Sequence, residues 1–153
     1  MLLKIKKTTL TNFPNHNNFY TKGARMQKLK FKTNYKSEVI DITEDIKEAV
    51  IKSGVKDGIV TVFCPHSTAS VIIFEKSDAT LRRDLLGMLK DIVPYREYSH
   101  TNARAHLKTA FLRSNITLIV DNANVLLGEW QGIFLVEFDG PRERNVIVKA
   151  IND

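Results

Sequence analysis

The sequence predicts one α+β domain of about seven strands and two or three helices, the strands forming mixed or antiparallel sheets. Three features point that way. Apolar runs of strand length recur along the chain, and only a few stretches carry apolar residues at 3.6-residue spacing. Asp139-Gly140-Pro141 marks a turn between the last two strand candidates. A length of 153 residues suits a single domain, and 43% apolar with 26% charged residues is the balance of a globular protein.

Residues 1 to 27 read as a basic N-terminal extension with a polar cluster from Asn12 to Asn18, and residues 28 to 153 as the domain. Lys28 to Thr33 alternates polar and apolar, as a half-buried strand does. Tyr35 to Ile42 turns and enters a second strand. Thr43 is the expected N-cap of a first helix, with Glu44 and Asp45 favourable in its first turn. Ile42, Ile46, Ala49, Val50 and Ser53 share one face of that helix, and Gly54 is its stop. Ile59 to Cys64 and Ser70 to Phe74 are apolar on both faces, so both are expected as central strands covered on each side. Over residues 78 to 92, Leu81, Leu85, Met88, Leu89 and Ile92 form one helical stripe, which Pro94 ends. Tyr95 to Ala105 reads as loop and Ala105 to Leu112 as a short helix. Ile116 to Val120, Gly132 to Phe138 and Asn145 to Ile151 complete the strands. So few helices cannot cover both faces of so many apolar strands. The leftover face must pack on another sheet or on another subunit.

The net charge of +6 is unevenly placed. Nine basic residues precede Glu38, the first acidic one, and the remainder carries 14 basic against 17 acidic, a net of −3. The extension could touch an anionic partner, but no nucleic-acid motif, aromatic stacking platform or zinc-finger spacing accompanies it, so nucleic acid is not an expected partner. No stretch approaches the ~20 apolar residues needed to cross a bilayer. Lys4, Lys6 and Lys7 interrupt the only apolar start, and the single Cys64 cannot form an intramolecular disulfide. A cytoplasmic location is the expectation.

The residues able to carry chemistry fall between Pro65 and Gln131, with two arginines beyond. His66 follows a proline at a strand end and precedes Ser67 and Thr68, where an imidazole can bind a metal, exchange protons or simply complete a hydrogen bond near the core. Glu75 ends the next strand, on the face of Val71 and Ile73, and is expected beside the same strand ends as His66. Asp84 edges the apolar stripe of the second helix and can reach inward. His100 and His106 lie six apart, about 240° around a continuous helix, so they can share a ligand only if His100 sits in the preceding loop. Asn102 and His106, four apart, can share a face. Trp130 belongs to the core or an interface, and Gln131 can both donate to and accept from a substrate. Arg142 and Arg144 can hold a phosphate bidentately.

Taken in order, Gly58-Ile-Val-Thr-Val-Phe-Cys-Pro-His66-Ser-Thr-Ala, Glu75, Asp84, Tyr98-Ser-His100, Asn102, Ala105-His106-Leu-Lys, Leu127-Gly-Glu-Trp-Gln131 and Glu137-Phe-Asp-Gly-Pro-Arg142-Glu-Arg144 resemble the YjbQ-like family over about residues 29 to 150. The resemblance implies a YjbQ-like fold assembled as a homotrimer, and a pocket lined by these histidines and acids. It implies secondary thiamine-phosphate synthase activity, a transferase reaction joining an aminopyrimidine diphosphate to a thiazole phosphate. Glu75, Asp84, Asn102 and Gln131 then stand as catalytic candidates, and His66, His100 and His106 as ligands of a metal or an anion. Ser67, Thr68, Lys108, Arg142 and Arg144 are the candidate contacts to a small phosphorylated substrate. A divalent metal would be zinc if the histidines hold it and magnesium if Glu75 and Asp84 do. Glu129 departs from the threonine commoner in the family, and the N-terminal extension lies outside the resemblance. A non-catalytic trimeric metal- or anion-binding protein is the alternative.

Overall fold

The computed structural model describes residues 24 to 153, so most of the expected basic extension lies outside the described residues. Among them run β1 (Ala24–Lys32), β2 (Glu38–Asp41), α1 (Thr43–Ser53), β3 (Gly58–Phe63), β4 (Ala69–Glu75), α2 (Ala79–Ile92), α3 (Ala103–Phe111), β5 (Asn115–Asp121), β6 (Asn124–Val125), β7 (Gln131–Glu137) and β8 (Glu143–Asn152). The unanticipated strand is β6, whose two residues pair with β5 across a turn where Asn122 and Ala123 take φ of 49° and 61°. A strand that short carries no periodicity to read.

The strands form two sheets, ordered β1-β8-β3-β5-β6 and β2-β7-β4, with antiparallel pairing throughout the described residues. Their facing sides make the main core. Val60 and Val62 of β3, Leu118 of β5 and Val148 of β8 meet Val71 of β4 and Leu135 of β7. Ile42, Ile46, Ala49 and Val50 bring α1 into the same core, as their spacing requires. The helix begins at Thr43 itself, not after it. Ile42 holds the N-cap position, Asp41 Oδ1 accepts from the Thr43 N–H at 2.9 Å, and Thr43 Oγ1 accepts from Ile133 N–H at 2.9 Å. Gly54 ends α1 in the left-handed region at φ 75°.

The other side of the three-stranded sheet is covered by α2 and α3, with Ile72, Phe134, Val136 and Phe138 against Leu89 and Ala105. β4 is therefore covered on both faces, as expected. β3 is not. Its outward residues Ile59 and Phe63 are 41% and 39% exposed, because α2 and α3 pack on the other sheet and α1 packs into the core between the two sheets. Ile119, Ile59 and Ile151 are cross-strand neighbours in one exposed apolar row. The α2 stripe is likewise half used: Leu89 is buried, while Met88 and Ile92 face outward. A sheet three strands wide, roughly 10–15 Å, cannot cover the full stripes of two helices.

Candidate functional site

The site is built from a single charged residue in an otherwise apolar strand. β7 buries six consecutive residues and ends on Glu137, which is 0% exposed. A buried carboxylate needs a cation and full hydrogen bonding. Arg144, across the turn on β8, supplies the cation and is itself buried. Its Nε donates to Glu137 Oε2, and its Nη2 donates to Glu137 Oε1 and to Thr68 Oγ1, the last at 2.8 Å. Thr33 Oγ1 donates to Glu137 Oε2 at 3.2 Å. Glu137 Oε1 also accepts the N–H groups of Phe138 and Asp139, at 3.0 and 2.8 Å. The buried pair thus sets the start of the β7–β8 turn.

Asp139 passes that order outward. Its Oδ2 accepts from Asn102 Nδ2 at 3.1 Å and from Arg142 Nη2 at 2.6 Å. Burial alone would raise its pKa, but the bonds from Arg142 and Asn102 outweigh burial and hold it below the usual range. Gly140 lets the turn lie against the β1–β2 connection. A side chain there would collide with the Tyr35 carbonyl and Thr33 Oγ1, and the Gly140 N–H donates to Lys36 O at 3.1 Å.

Between this turn, the end of α2, the 95–102 loop and α3 lies a cavity of about 790 Å³. Lys36, Lys90, Arg96, Arg104 and Lys108 line it, against the carboxylates of Glu97 and Asp139. Arg104 donates to Val93 O at 3.2 and 3.1 Å and lies over the Tyr95 ring, 5.3 Å from its centroid. Arg96 lies 5.0 Å from the Tyr98 ring, whose hydroxyl donates to Pro94 O at 3.0 Å. Lys108 is 7% exposed on the inward side of α3, and none of the ion pairs among the described residues includes it.

The structure gathers some of the candidates and separates others. His100, Asn102 and Lys108 line the cavity. α3 begins at Ala103, so His100 does sit in the preceding loop, and its ring lies edge-on to His106 with centroids 5.4 Å apart. His66 is elsewhere, accepting the Asn145 N–H on Nε2 at 2.9 Å. Among the described residues, no group of three or more His, Cys, Asp or Glu side chains stands close enough to hold a metal ion. Arg144 and Thr68 are taken up in the buried network, Ser67 is exposed, and Arg142 is bound to Asp139.

Glu75 is not beside His66. β3 and β4 belong to different sheets, and β4 runs away from His66 for its whole length, about 20 Å. There Glu75 accepts from the Ser77 hydroxyl and the Asp78 N–H, bonds that lower its pKa and close the turn into α2. Gln131 pairs with it across the strands and accepts from Gly128 N–H at 2.8 Å. Asp84 points to solvent, because the apolar stripe it edges is only partly covered. Trp130 is 59% exposed, which excludes the core of this chain.

Tyr35, Lys36, Lys90, Tyr95, Arg104, Glu137 and Asp139 were not among the candidates. Glu137 was readable as a carboxylate inside a strand apolar on both faces. The lysines and tyrosines look like ordinary surface residues until the fold brings four segments together.

The YjbQ family model, described as UPF0047 protein YjbQ-like, matches residues 27 to 153. A UPF0047 protein of Methanocaldococcus jannaschii is 40% identical over 129 residues, covering 82% of this chain and 94% of its own. The UPF0047 protein YugU of Bacillus subtilis is 33% identical over 130 residues, covering 82% and 98%. Among solved structures, an uncharacterized YjbQ/UPF0047 protein of Clostridium acetobutylicum has a TM-score of 0.79 at 43% identity, covering 82% of this chain and 99% of its own. A YbjQ-like protein of unknown function from Sulfolobus solfataricus has a TM-score of 0.81 at 34% identity, covering 85% and 98%. Among the described residues no helix is long and apolar enough to cross a membrane. With the family model matching from β1 to the last residue of the chain, this protein belongs to the YjbQ/UPF0047 family.

Proposed function

We propose that the chain is a small-molecule enzyme that binds a phosphorylated substrate in the cavity between α2, α3 and the β7–β8 turn. One observation carries this reading. Five cationic side chains line the cavity against two carboxylates, and one of those, Asp139, is already engaged by Arg142 and Asn102. A concave surface with such a surplus favours a multiply charged anion. The cavity volume of about 790 Å³ also lies in the usual range for small-ligand sites.

The thiamine-phosphate synthase activity implied by the family resemblance suits this chemistry. Joining an aminopyrimidine diphosphate to a thiazole phosphate releases pyrophosphate, and preorganised cations stabilise such a leaving group. In this reading Lys36, Lys90 and Arg104 hold phosphate, while Asn102 and His100 contact the rest of the substrate. The working form is a homotrimer, supported by the exposed row Ile119, Ile59 and Ile151.

The test incubates the full chain with the two substrates and measures pyrophosphate release, beside calorimetric titration with pyrophosphate alone. Release that falls in Lys36→Met and Lys90→Met supports the enzyme. Pyrophosphate binding without turnover moves the protein to the non-catalytic anion-binding class. Failure of the wild-type chain to bind pyrophosphate sinks the reading.

A further inference from the structure

Lys108 lies on the inward face of α3, one turn beyond Arg104, and is 7% exposed. A buried ammonium is ordinarily paired with a carboxylate. Here no ion pair among the described residues includes it, and its Nζ lies 5.9 Å from the Phe138 ring centroid. The charges that act on it most are Arg104, Lys90 and Lys36, all cations. Burial first, and then those three, disfavour the protonated form and lower its pKa. Yet it lines the cavity, within reach of anything bound there. A buried amine outside every ion pair of the described residues, set among cations on a cavity wall, is arranged as a nucleophile.

We propose that Lys108 forms an imine with a small aldehyde or ketone that also carries a phosphate group. This rests on reading the cavity as a phosphate-binding site, with Lys36, Lys90 and Arg104 holding the phosphate so that the carbonyl meets Nζ. The Nζ lone pair adds to the carbonyl carbon, and the carbonyl oxygen takes up a proton to give a carbinolamine. Loss of that hydroxyl as water leaves the protonated imine. Carbonyl compound, amine and one proton from solvent become protonated imine and water, with no oxidant or reductant. The imine then draws electrons from the adjacent carbon, which is the activation needed for proton abstraction or carbon–carbon cleavage there.

The probe is pyridoxal 5′-phosphate, an aldehyde with a phosphate, added at one equivalent to the full chain and fixed with borohydride before peptide mapping by mass spectrometry. The expected result is one label, on Lys108, slowed by excess pyrophosphate and weaker with pyridoxal, which lacks the phosphate. K108R, with unchanged thermal melting, loses the label. Label spread over exposed lysines, or K108R labelled as well as wild type, overturns the proposal. A parallel titration with pyrophosphate separates the two claims. If pyrophosphate binds and Lys108 stays unlabelled, the imine falls and the phosphate site stands. If Lys108 is labelled but pyrophosphate neither binds nor competes, the imine stands and the phosphate site falls.

Discussion

Glu137 and Arg144 meet as a buried ion pair on either side of the β7–β8 turn, 0% and 5% exposed. The carboxylate does more than neutralise the guanidinium. It also accepts the backbone N–H groups of Phe138 and Asp139, so one buried group fixes two residues of the cavity wall. Removing one member leaves the other charged in a dry place, whereas removing both leaves no buried charge, only the neutral hydrogen-bonding groups they served. Glu137→Leu and Arg144→Met should each cost about 3–5 kcal/mol in urea unfolding, and the two substitutions together should cost less than the sum. Additive losses would show that the two charges act independently.

How much of this was legible follows from where each signal is stored. α1 was readable because Ile42, Ile46, Ala49 and Val50 obey one period and the helix packs on one core. The loop position of His100 was readable because a continuous helix turns it away from His106. Glu75 was misplaced beside His66 because sequence order cannot say that β3 and β4 enter different sheets. Lys36 and Lys90 were invisible for a similar reason. They come from separate segments and acquire meaning only from their proximity to one cavity, whereas Lys108 stood out through the family resemblance.

His66 gives the molecule a pH dependence. Burial first, and then the charge of Arg144, lower its pKa below the usual value, and its neutral Nε2 accepts the Asn145 N–H at 2.9 Å. The unfolded chain therefore binds the proton more readily than the folded one. The stabilising contribution is complete above about pH 6.5, the ordinary histidine value, and is lost as pH falls below it towards the lowered folded-state value. Urea midpoints measured across this range should decline on the acid side. His66→Gln, which keeps an acceptor for Asn145 N–H but cannot titrate, should flatten the decline. An unchanged slope would place the dependence on other groups.

The exposed row on the five-stranded sheet bears on assembly. Ile119 is 59% exposed and its cross-strand neighbour Ile59 is 41% exposed, on a face that no helix of the described residues covers. Burying such residues against another copy would contribute about 25 cal/mol per Å² of apolar surface. Ile119→Lys and Ile59→Lys should shift sedimentation from trimer towards monomer at micromolar concentration, with circular dichroism unchanged. A wild-type chain that sediments as a monomer would remove the homotrimer from the account.

Gly140 tests whether the turn governs the cavity. A Cβ at this position would meet the Tyr35 carbonyl and come within 2.7 Å of Thr33 Oγ1, neither of which can withdraw cheaply. The first is backbone; the second is bonded to Glu137 and to the Arg142 N–H. Gly140→Ala must therefore push the turn away from the β1–β2 connection, and Lys36 and Asp139, on the two sides of that contact, move apart. Overpacking of this kind costs about 1–3 kcal/mol, which thermal melting will read. Stability alone would not implicate the site, so the decisive measurement is pyrophosphate affinity well below the melting temperature. Weakened binding by a fully folded Gly140→Ala chain ties the turn to the cavity. Binding equal to wild type would mean that Lys90 and Arg104 hold the anion without help from the turn.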